Sequence, residues 1–181
     1  MVILIIICAG IIGAGIYYYN QFIRCDQLLQ EAESGIDVHL KRRHDLIPNL
    51  VEVAKGYMAH EKTVLENVTA IRSRAIDTKA LKERADAENQ LTKGLRSIFM
   101  LAENYPDLKA DRQFLDLHKN LVHIEDELQM ARRYYNGTVR NYNVLAQSVP
   151  SNLVAGIFNF KMKPFFDIET ATERNVPQVG L

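Results

Sequence analysis

Residues 117–145, LHKNLVHIEDELQMARRYYNGTVRNYNVL, decide the fold class of this chain. Apolar or small side chains recur there in an unbroken alternation of four- and three-residue steps, at Leu117, Leu121, Ile124, Leu128, Ala131, Tyr135, Thr138, Tyr142 and Leu145. This spacing keeps one stripe on one face of an α-helix, whereas a strand would alternate every second residue. The stretch therefore predicts a long amphipathic helix that packs against other helices.

Further helical series lie upstream of this stretch. One runs over residues 81–105, and a wider apolar face covers residues 46–75. Pro106 and the pair Asp77-Thr78 predict the breaks between these helices, the latter as a turn and N-cap. No segment of the sequence shows strand-type alternation bounded by turn residues. The sequence thus predicts an all-α chain, in which an N-terminal transmembrane helix continues into an elongated antiparallel four-helix bundle.

Pro48 leaves the start of the second helix open. Proline pushes the residue before it out of the α conformation, so Asp45-Leu46-Ile47-Pro48 favours a chain reversal at Ile47. The alternative is a kink within one continuous helix. With the reversal, helix lengths at ~1.5 Å per residue bring the end of the last helix, near Ser148, back to the level of the membrane.

Residues 2–19 predict the membrane anchor. This run, VILIIICAGIIGAGIYYY, carries no charge, and a helix needs about 20 apolar residues to cross a bilayer. A cleaved signal peptide is disfavoured, because no Lys or Arg precedes the run and no A-x-A site follows it. Tyr17, Tyr18 and Tyr19 are typical of an interfacial belt. We expect a single-pass membrane protein, and Arg24 after the span favours the bundle on the cytoplasmic side.

The predicted domains are a transmembrane anchor at residues 1–20, a four-helix bundle at 21–149 and an aromatic and basic tail at 150–181, flexible from residue 169. The segment 158–166, FNFKMKPFF, interleaves phenylalanines with lysines. This pattern fits a membrane interface, with rings in the headgroup zone and amines reaching outward. The alternative is that the rings cap the bundle. The tail residues concerned are Phe158, Phe160, Lys161, Lys163, Phe165 and Phe166.

The sequence holds no pattern typical of a catalytic or metal site. Lys+Arg and Asp+Glu both number 22, which removes the bulk-charge argument for nucleic-acid binding. His60-Glu61 begins like a zinc-protease motif, but Val64 stands where the second histidine should be. His118 and His123 are five residues apart and do not share a helix face. We expect no enzymatic activity, no cofactor and no metal.

The basic run at residues 41–44 is expected to face acidic side chains of a neighbouring helix or protomer. Lys41 lies roughly 31 Å beyond Asn20 along a straight helix, while surface electrostatics fade within ~8–10 Å. Arg84 and Glu88 interrupt an apolar stripe and suggest pairing between subunits. The candidate protein-contact residues are Lys41, Arg42, Arg43, His44, Arg84, Glu88, Tyr135, Asn136, Tyr142 and Asn143.

Residues 35–61, GIDVHLKRRHDLIPNLVEVAKGYMAHE, resemble the LemA family closely. The resemblance extends to Tyr19-Asn20, Tyr135-Asn136, Val139, Tyr142-Asn143, Pro150 and Lys163-Pro164-Phe165-Phe166. It departs at Glu33, where the family usually has Trp, and at Cys25, where Leu is common. The resemblance implies a bacterial single-pass membrane protein with an antiparallel four-helix bundle and no established enzymatic activity or cofactor. One family member takes part in building magnetosome vesicles.

Two functions fit these observations. The first is a self-assembling scaffold that organises or shapes the bacterial membrane, with the lipid bilayer and further copies of the chain as its partners. The alternative is an adaptor that docks another membrane or envelope protein, such as a protease or an assembly factor. An enzyme would need a constellation of side chains that the sequence does not contain.

Overall fold

A computed structural model of the protein describes residues 1–78 and 80–166, without the side chain of Leu81. Within these residues the chain forms helices and no strand, so the predicted all-α class is confirmed. The helices are α1 Val2–Lys55, α2 Lys62–Asp77, α3 Leu81–Ala102, α4 Pro106–Ala110, α5 Arg112–Gln147 and α6 Ser151–Phe158. The flexible tail predicted from residue 169 lies outside the described residues, and the domain boundaries predicted at residues 20 and 149 stay predictions.

The chain divides into two compact units, to which α1 and α5 both contribute. We call the unit of Met1–Val38 and Leu128–Phe165 the anchor unit, and the unit built on His39–Glu127 the bundle unit. In the bundle unit, α2 runs antiparallel to α3, because Val68 faces Gly94 while Arg74 bonds to Gln90.

One hydrophobic core fills the bundle unit. It draws on α1, α2, α3, α4 and the first part of α5, through Ile47, Leu50, Val51, Ala54, Met58, Leu65, Val68, Leu91, Leu95, Ile98, Ala102, Leu108, Phe114, Leu117 and Leu121. Apolar stripes on four antiparallel helices bury each other in this arrangement, which is the packing that the helical spacing predicts.

Helix α1 does not end at Pro48, so the predicted chain reversal at Ile47 is wrong. Pro48 lies inside α1, and the chain turns after Lys55 instead, over residues 56–61. A proline has no N–H to donate to the carbonyl four residues back, here that of His44. In this protein the Nε of Arg72 donates a 2.7 Å hydrogen bond to that carbonyl. The helix continues because α2 replaces the missing donor.

The other predicted breaks are confirmed, with one correction at a cap. Helix α2 ends at Asp77, and the Thr78 hydroxyl donates a 2.7 Å hydrogen bond back to the Arg74 carbonyl. Thr78 therefore finishes α2 and does not cap α3. Pro106 opens α4, and Asp111 caps α5 by accepting a 2.9 Å hydrogen bond from the N–H of Phe114.

The anchor unit begins with an apolar helical segment whose large side chains are exposed among the described residues. Every large apolar side chain from Val2 to Ile16 is exposed. By length and composition, α1 could cross a membrane. From Phe22 onward one face of α1 is buried, and the ring of Phe22 packs edge-on against Tyr142 of α5, with centroids 5.7 Å apart. The unit thus changes from an exposed apolar rod to a packed helix pair within a few residues.

Candidate functional site

An aromatic cluster lies beside α1 where its exposed apolar segment ends. The ring centroid of Tyr19 lies 4.8 Å from that of Phe158 and 5.8 Å from that of Phe160. Phe160 also stacks on Phe22, with centroids 4.5 Å apart and an interplanar angle of 12°. We call these four residues the aromatic collar. The C-terminal part of the anchor unit therefore lies beside the end of the apolar segment. The helix lengths that predicted this return assumed a reversal at Ile47, whereas α1 continues to Lys55.

A left-handed residue turns the chain into the collar. Helix α6 ends at Phe158, and Asn159 adopts φ 58° and ψ 39°, a conformation that Asn tolerates better than most residues. The N–H of Phe160 then donates a 2.9 Å hydrogen bond to the Ala155 carbonyl, which closes the helix end. This reversal points the chain after α6 back along α1.

Asn143 of α5 fixes the segment that follows. Its Nδ2 donates a 2.9 Å hydrogen bond to the Lys163 carbonyl, and its Oδ1 accepts a 2.8 Å hydrogen bond from the Lys163 N–H. The Tyr135 hydroxyl adds a 3.3 Å hydrogen bond to the Pro164 carbonyl. Both side chains are buried. They act on the chain's own tail, and for that reason they do not form the docking surface that the sequence suggested.

The ammonium of Lys163 is held by the protein. It forms a 2.7 Å ion pair with Asp26 of α1 and lies 5.4 Å from the ring centroid of Tyr142, within cation–π range. The hydrogen bond with Asp26 raises the pKa of Lys163 above its ordinary 10.5, and burial raises the pKa of the Tyr142 hydroxyl. Lys163 therefore does not extend toward headgroups as the sequence predicted, whereas Lys161 is exposed.

A second polar arrangement, the buried ionic cluster, lies in the bundle unit. The guanidinium of Arg43 is 3.6 Å from Glu88 and 3.3 Å from Glu125, and it donates a 2.7 Å hydrogen bond to Thr92. His44 Nε2 lies 2.8 Å from the other carboxylate oxygen of Glu88. Arg43 is 1% exposed and Glu88 is 0% exposed. Such charges are tolerated in a core only because they neutralise one another.

The neighbouring Arg42 makes a different, surface contact. Its guanidinium lies 3.1 Å from Oε2 of Glu127. The Nδ1 atoms of His39 and His123 lie 3.3 and 3.4 Å from the same oxygen. The expectation that the basic run faces acidic side chains is thus confirmed for Arg42, Arg43 and His44, and their partners belong to helices of the same chain.

Burial corrects the predicted contact surfaces. Six candidate protein contacts are buried and cannot meet another molecule in this structure: Arg43, His44, Glu88, Tyr135, Tyr142 and Asn143. Lys41 and Arg42 are exposed, while Arg84 and Asn136 are half-buried. Phe166 is buried and unavailable to lipid. The other predicted interface residues are exposed or half-buried: Tyr17, Tyr18, Tyr19, Phe158, Phe160, Lys161, Lys163 and Phe165.

The sequence reasoning missed the exposed apolar side chains around α6. Val149, Leu153 and Ile157 are 81%, 66% and 77% exposed, although all three are aliphatic. A signal was present, since residues 141–160 contain no charged side chain. Within residues 1–78 and 80–166, no group of three or more His, Cys, Asp or Glu side chains could hold a metal ion.

Comparison with known proteins agrees with this architecture. The family model described as LemA family matches residues 32–180. Protein LemA of Metamycoplasma hominis is 27% identical over 150 residues, covering 79% of this chain and 65% of its own length. Magnetosome protein MamQ 2 of Paramagnetospirillum magneticum is 22% identical over 197 residues, covering 94% of this chain and 72% of its own length. Magnetosome protein MamQ of Magnetospirillum gryphiswaldense is 22% identical over 189 residues, with 89% and 70% covered.

Proposed function

The chain belongs to the LemA family, and from this premise we propose that it is a non-enzymatic scaffold, anchored in a bacterial membrane, whose copies assemble to organise or shape that membrane. The observation that carries the proposal is the junction between the exposed apolar segment of α1 and the aromatic collar. Aromatic rings concentrate at the boundary between hydrocarbon and water. The collar thus marks the level at which α1 leaves the membrane.

Several contacts make this junction rigid. Phe22 stacks on Phe160, Lys163 forms an ion pair with Asp26, and Asn143 of α5 holds the backbone of Lys163 by hydrogen bonds. These contacts fix α1 to the rest of the anchor unit directly beyond the apolar segment. A protein that shapes a membrane must transmit force between its lipid-embedded and aqueous parts, and a braced exit from the bilayer serves that purpose.

Similarity to proteins named magnetosome proteins supports the membrane association in the proposal. Assembly into a scaffold, a single pass and a cytoplasmic bundle are all parts of the proposal. The last rests on Arg24, the basic residue that follows the apolar run.

The adaptor alternative has lost most of its docking surface. It relied on residues 41–44 and 135–143, of which Arg43, Tyr135 and Asn143 are occupied inside the protein. Lys41 and Arg42 remain exposed and could still meet an acidic partner. Photocrosslinking in cells from position 41 tests this alternative: products containing only this chain would exclude it, and a reproducible second protein would revive it.

The experiment that tests the scaffold is the oligomeric state of the full-length protein in a gentle detergent, measured by mass photometry. Deletion of residues 1–19 provides the control, because it removes the apolar segment and leaves the bundle unit intact. We expect a large assembly of defined size that is lost on deletion. A monomer in both forms would exclude the scaffold and shift the proposal to the adaptor.

A further inference from the structure

Within the anchor unit, one face of helix α6 is buried, and the opposite face is exposed in the part of the chain that the structure describes. Ser151, Val154 and Ala155 are buried. Leu153 and Ile157, four residues apart and therefore on one helical face, are 66% and 77% exposed. The apolar surface continues to Val149 before the helix and Phe158 at its end, which are 81% and 53% exposed. An amphipathic helix normally turns polar side chains outward, and α6 turns aliphatic ones outward.

The stretch of sequence that contains this outward face carries no charged residue. Residues 141–160 contain no Asp, Glu, Lys or Arg, although the chain holds 44 such residues in 181, obtained by adding its 22 basic and 22 acidic residues. A surface that met water would be expected to carry its share of these charges. The composition fits an environment from which charges are excluded.

The exposed face is continuous with the apolar segment of α1. The Phe158 ring touches Tyr19, and an open apolar groove in the anchor unit is lined by Ile12, Gly15, Ile16, Tyr19 and Phe158. The end of α6 therefore reaches beyond the collar to residues of the segment that would lie in hydrocarbon. At ~1.5 Å per residue the whole helix is about 12 Å long, so its two ends differ in level by at most that distance.

We propose that α6 is an in-plane membrane helix, and that the face formed by Val149, Leu153, Ile157 and Phe158 binds the boundary between headgroups and acyl chains. The inference rests on the membrane anchoring in the proposed function and adds a second lipid contact to it. A helix lying in the interface of one leaflet spreads the headgroups there, and Lys161 follows it as a cation for acidic headgroups.

Two observations favour lipid over a second copy of the chain as the occupant. The face adjoins a segment that itself needs lipid, so both are covered by one bilayer without any new interface. The face itself is also made of aliphatic and aromatic side chains, and protein interfaces usually add several hydrogen bonds around such a patch, whereas the residues in 149–158 are mostly apolar.

The chain contains no tryptophan, which permits a direct test by fluorescence. Full-length Ile157→Trp is reconstituted in phosphatidylcholine vesicles, with and without bromine on the acyl chains. Ile12→Trp, in the apolar segment, is the embedded control. Met130→Trp is the aqueous control: Met130 is 61% exposed on α5 and lies about 26 Å along the helix from Gln147. All three positions are exposed, so none of the replacements disturbs a core.

We expect Ile157→Trp to emit at shorter wavelength than Met130→Trp, to lose fluorescence to brominated lipid and to resist quenching by aqueous acrylamide. Bromine close to the headgroup end of the acyl chain should quench it more strongly than bromine at the chain terminus, because an in-plane helix lies only ~5–10 Å deep. Behaviour like that of Met130→Trp would overturn the proposal. Shielding from acrylamide without any response to brominated lipid would also overturn it and would assign the face to a second copy.

The test separates this inference from the proposed function. An Ile12→Trp signal that ignores brominated lipid would exclude the anchor, and both proposals would fall. A quenched Ile12→Trp with an unquenched Ile157→Trp removes only the in-plane helix, and an assembly in detergent would still support the scaffold. A quenched Ile157→Trp in a protein that stays monomeric in detergent upholds the in-plane helix and removes the scaffold.

Discussion

The Nε of Arg72 donates a 2.7 Å hydrogen bond to the carbonyl oxygen of His44, the acceptor that Pro48 leaves without a helical donor. The two residues lie on different helices, α2 and α1. The contact explains how a 54-residue helix contains a proline without ending there. It also makes the continuity of α1 depend on α2 being in place.

Removal of the Arg72 donor should destabilise the protein. We expect Arg72→Met to lower the free energy of unfolding by roughly 1.5–3 kcal/mol, the usual range for a hydrogen bond to a charged group. In a Pro48→Ala background the backbone N–H at position 48 can serve the His44 carbonyl again, so the same substitution should cost clearly less. Chemical denaturation of the four proteins of this cycle measures the coupling. Equal losses in both backgrounds would show that Arg72 does not act through that carbonyl.

The two adjacent arginines of α1 should differ sharply. Arg43→Met leaves Glu88 buried without its cation, which typically costs about 3–5 kcal/mol. Arg42→Met removes only an exposed ion pair with Glu127, and such pairs contribute roughly 0–1 kcal/mol. Denaturation midpoints of the two variants make the comparison. Similar losses of stability in the two variants would show that the buried Arg43 contributes no more than the exposed Arg42.

Alanine substitution at two glycines should change the stability of the protein differently. Gly137, on α5, has nothing within 4 Å of an added Cβ, so Gly137→Ala should stabilise the helix by about 0.8–1 kcal/mol. At Gly94 the added Cβ would lie 2.9 Å from a methyl group of the buried Val68, which is closer than van der Waals contact allows. Gly94→Ala should therefore gain less than Gly137→Ala or lose stability. Val68→Ala removes the methyl group that the new Cβ would meet. In that background, Gly94→Ala should raise the thermal midpoint above that of Val68→Ala alone.

Asp111 should confer a pH-dependent share of stability. Its hydrogen bond from the Phe114 N–H, and secondarily that from the Tyr57 hydroxyl, hold the pKa of Asp111 below its ordinary 3.8. A carboxylate with a lowered folded-state pKa stabilises the fold above its unfolded pKa and loses this effect as pH falls through the folded value. The stability difference between the wild type and Asp111→Asn should thus be present at neutral pH and shrink below pH 3.8. A difference that does not change with pH would contradict the assignment.

Asn143 should control the order of the tail of the anchor unit. Asn143→Ala leaves both the N–H and the carbonyl of Lys163 without their partner, and an unsatisfied buried group costs about 1–3 kcal/mol. We expect faster hydrogen exchange over residues 160–165 with little change in the bundle unit. Asn141→Ala, at an exposed position on the same helix, is the matched control and should leave exchange unchanged. Unaltered exchange in Asn143→Ala would show that other contacts suffice to hold this segment.

Much of the fold was accessible from local pattern. The stripe over residues 117–145 became α5, and Pro106 marked the end of the preceding helix as expected. A local signal also indicates the end of α1, because a basic residue followed by glycine, here Lys55-Gly56, is a common helix stop. The reversal was predicted at Ile47 instead, before Pro48, and α1 passes through both residues.

Other features depended on contacts that no local pattern reports. Arg42 and Arg43 are consecutive and chemically alike, yet one is exposed and the other is buried against Glu88 of α3. Asn143 was predicted to be a protein-contact residue, and it instead holds the backbone of Lys163, 20 residues further along the chain.

By itself the sequence determined the all-helical class, the apolar segment at residues 2–19 and the long stripe that became α5, because these follow from side-chain periodicity along a single backbone. Only the tertiary structure decided that α1 passes through Pro48, that Arg43 is buried and that α6 turns aliphatic side chains outward. Each of these depends on which distant group supplies, or fails to supply, a donor, a counter-charge or apolar cover. Such partners are brought together by packing, and spacing along the chain does not encode them.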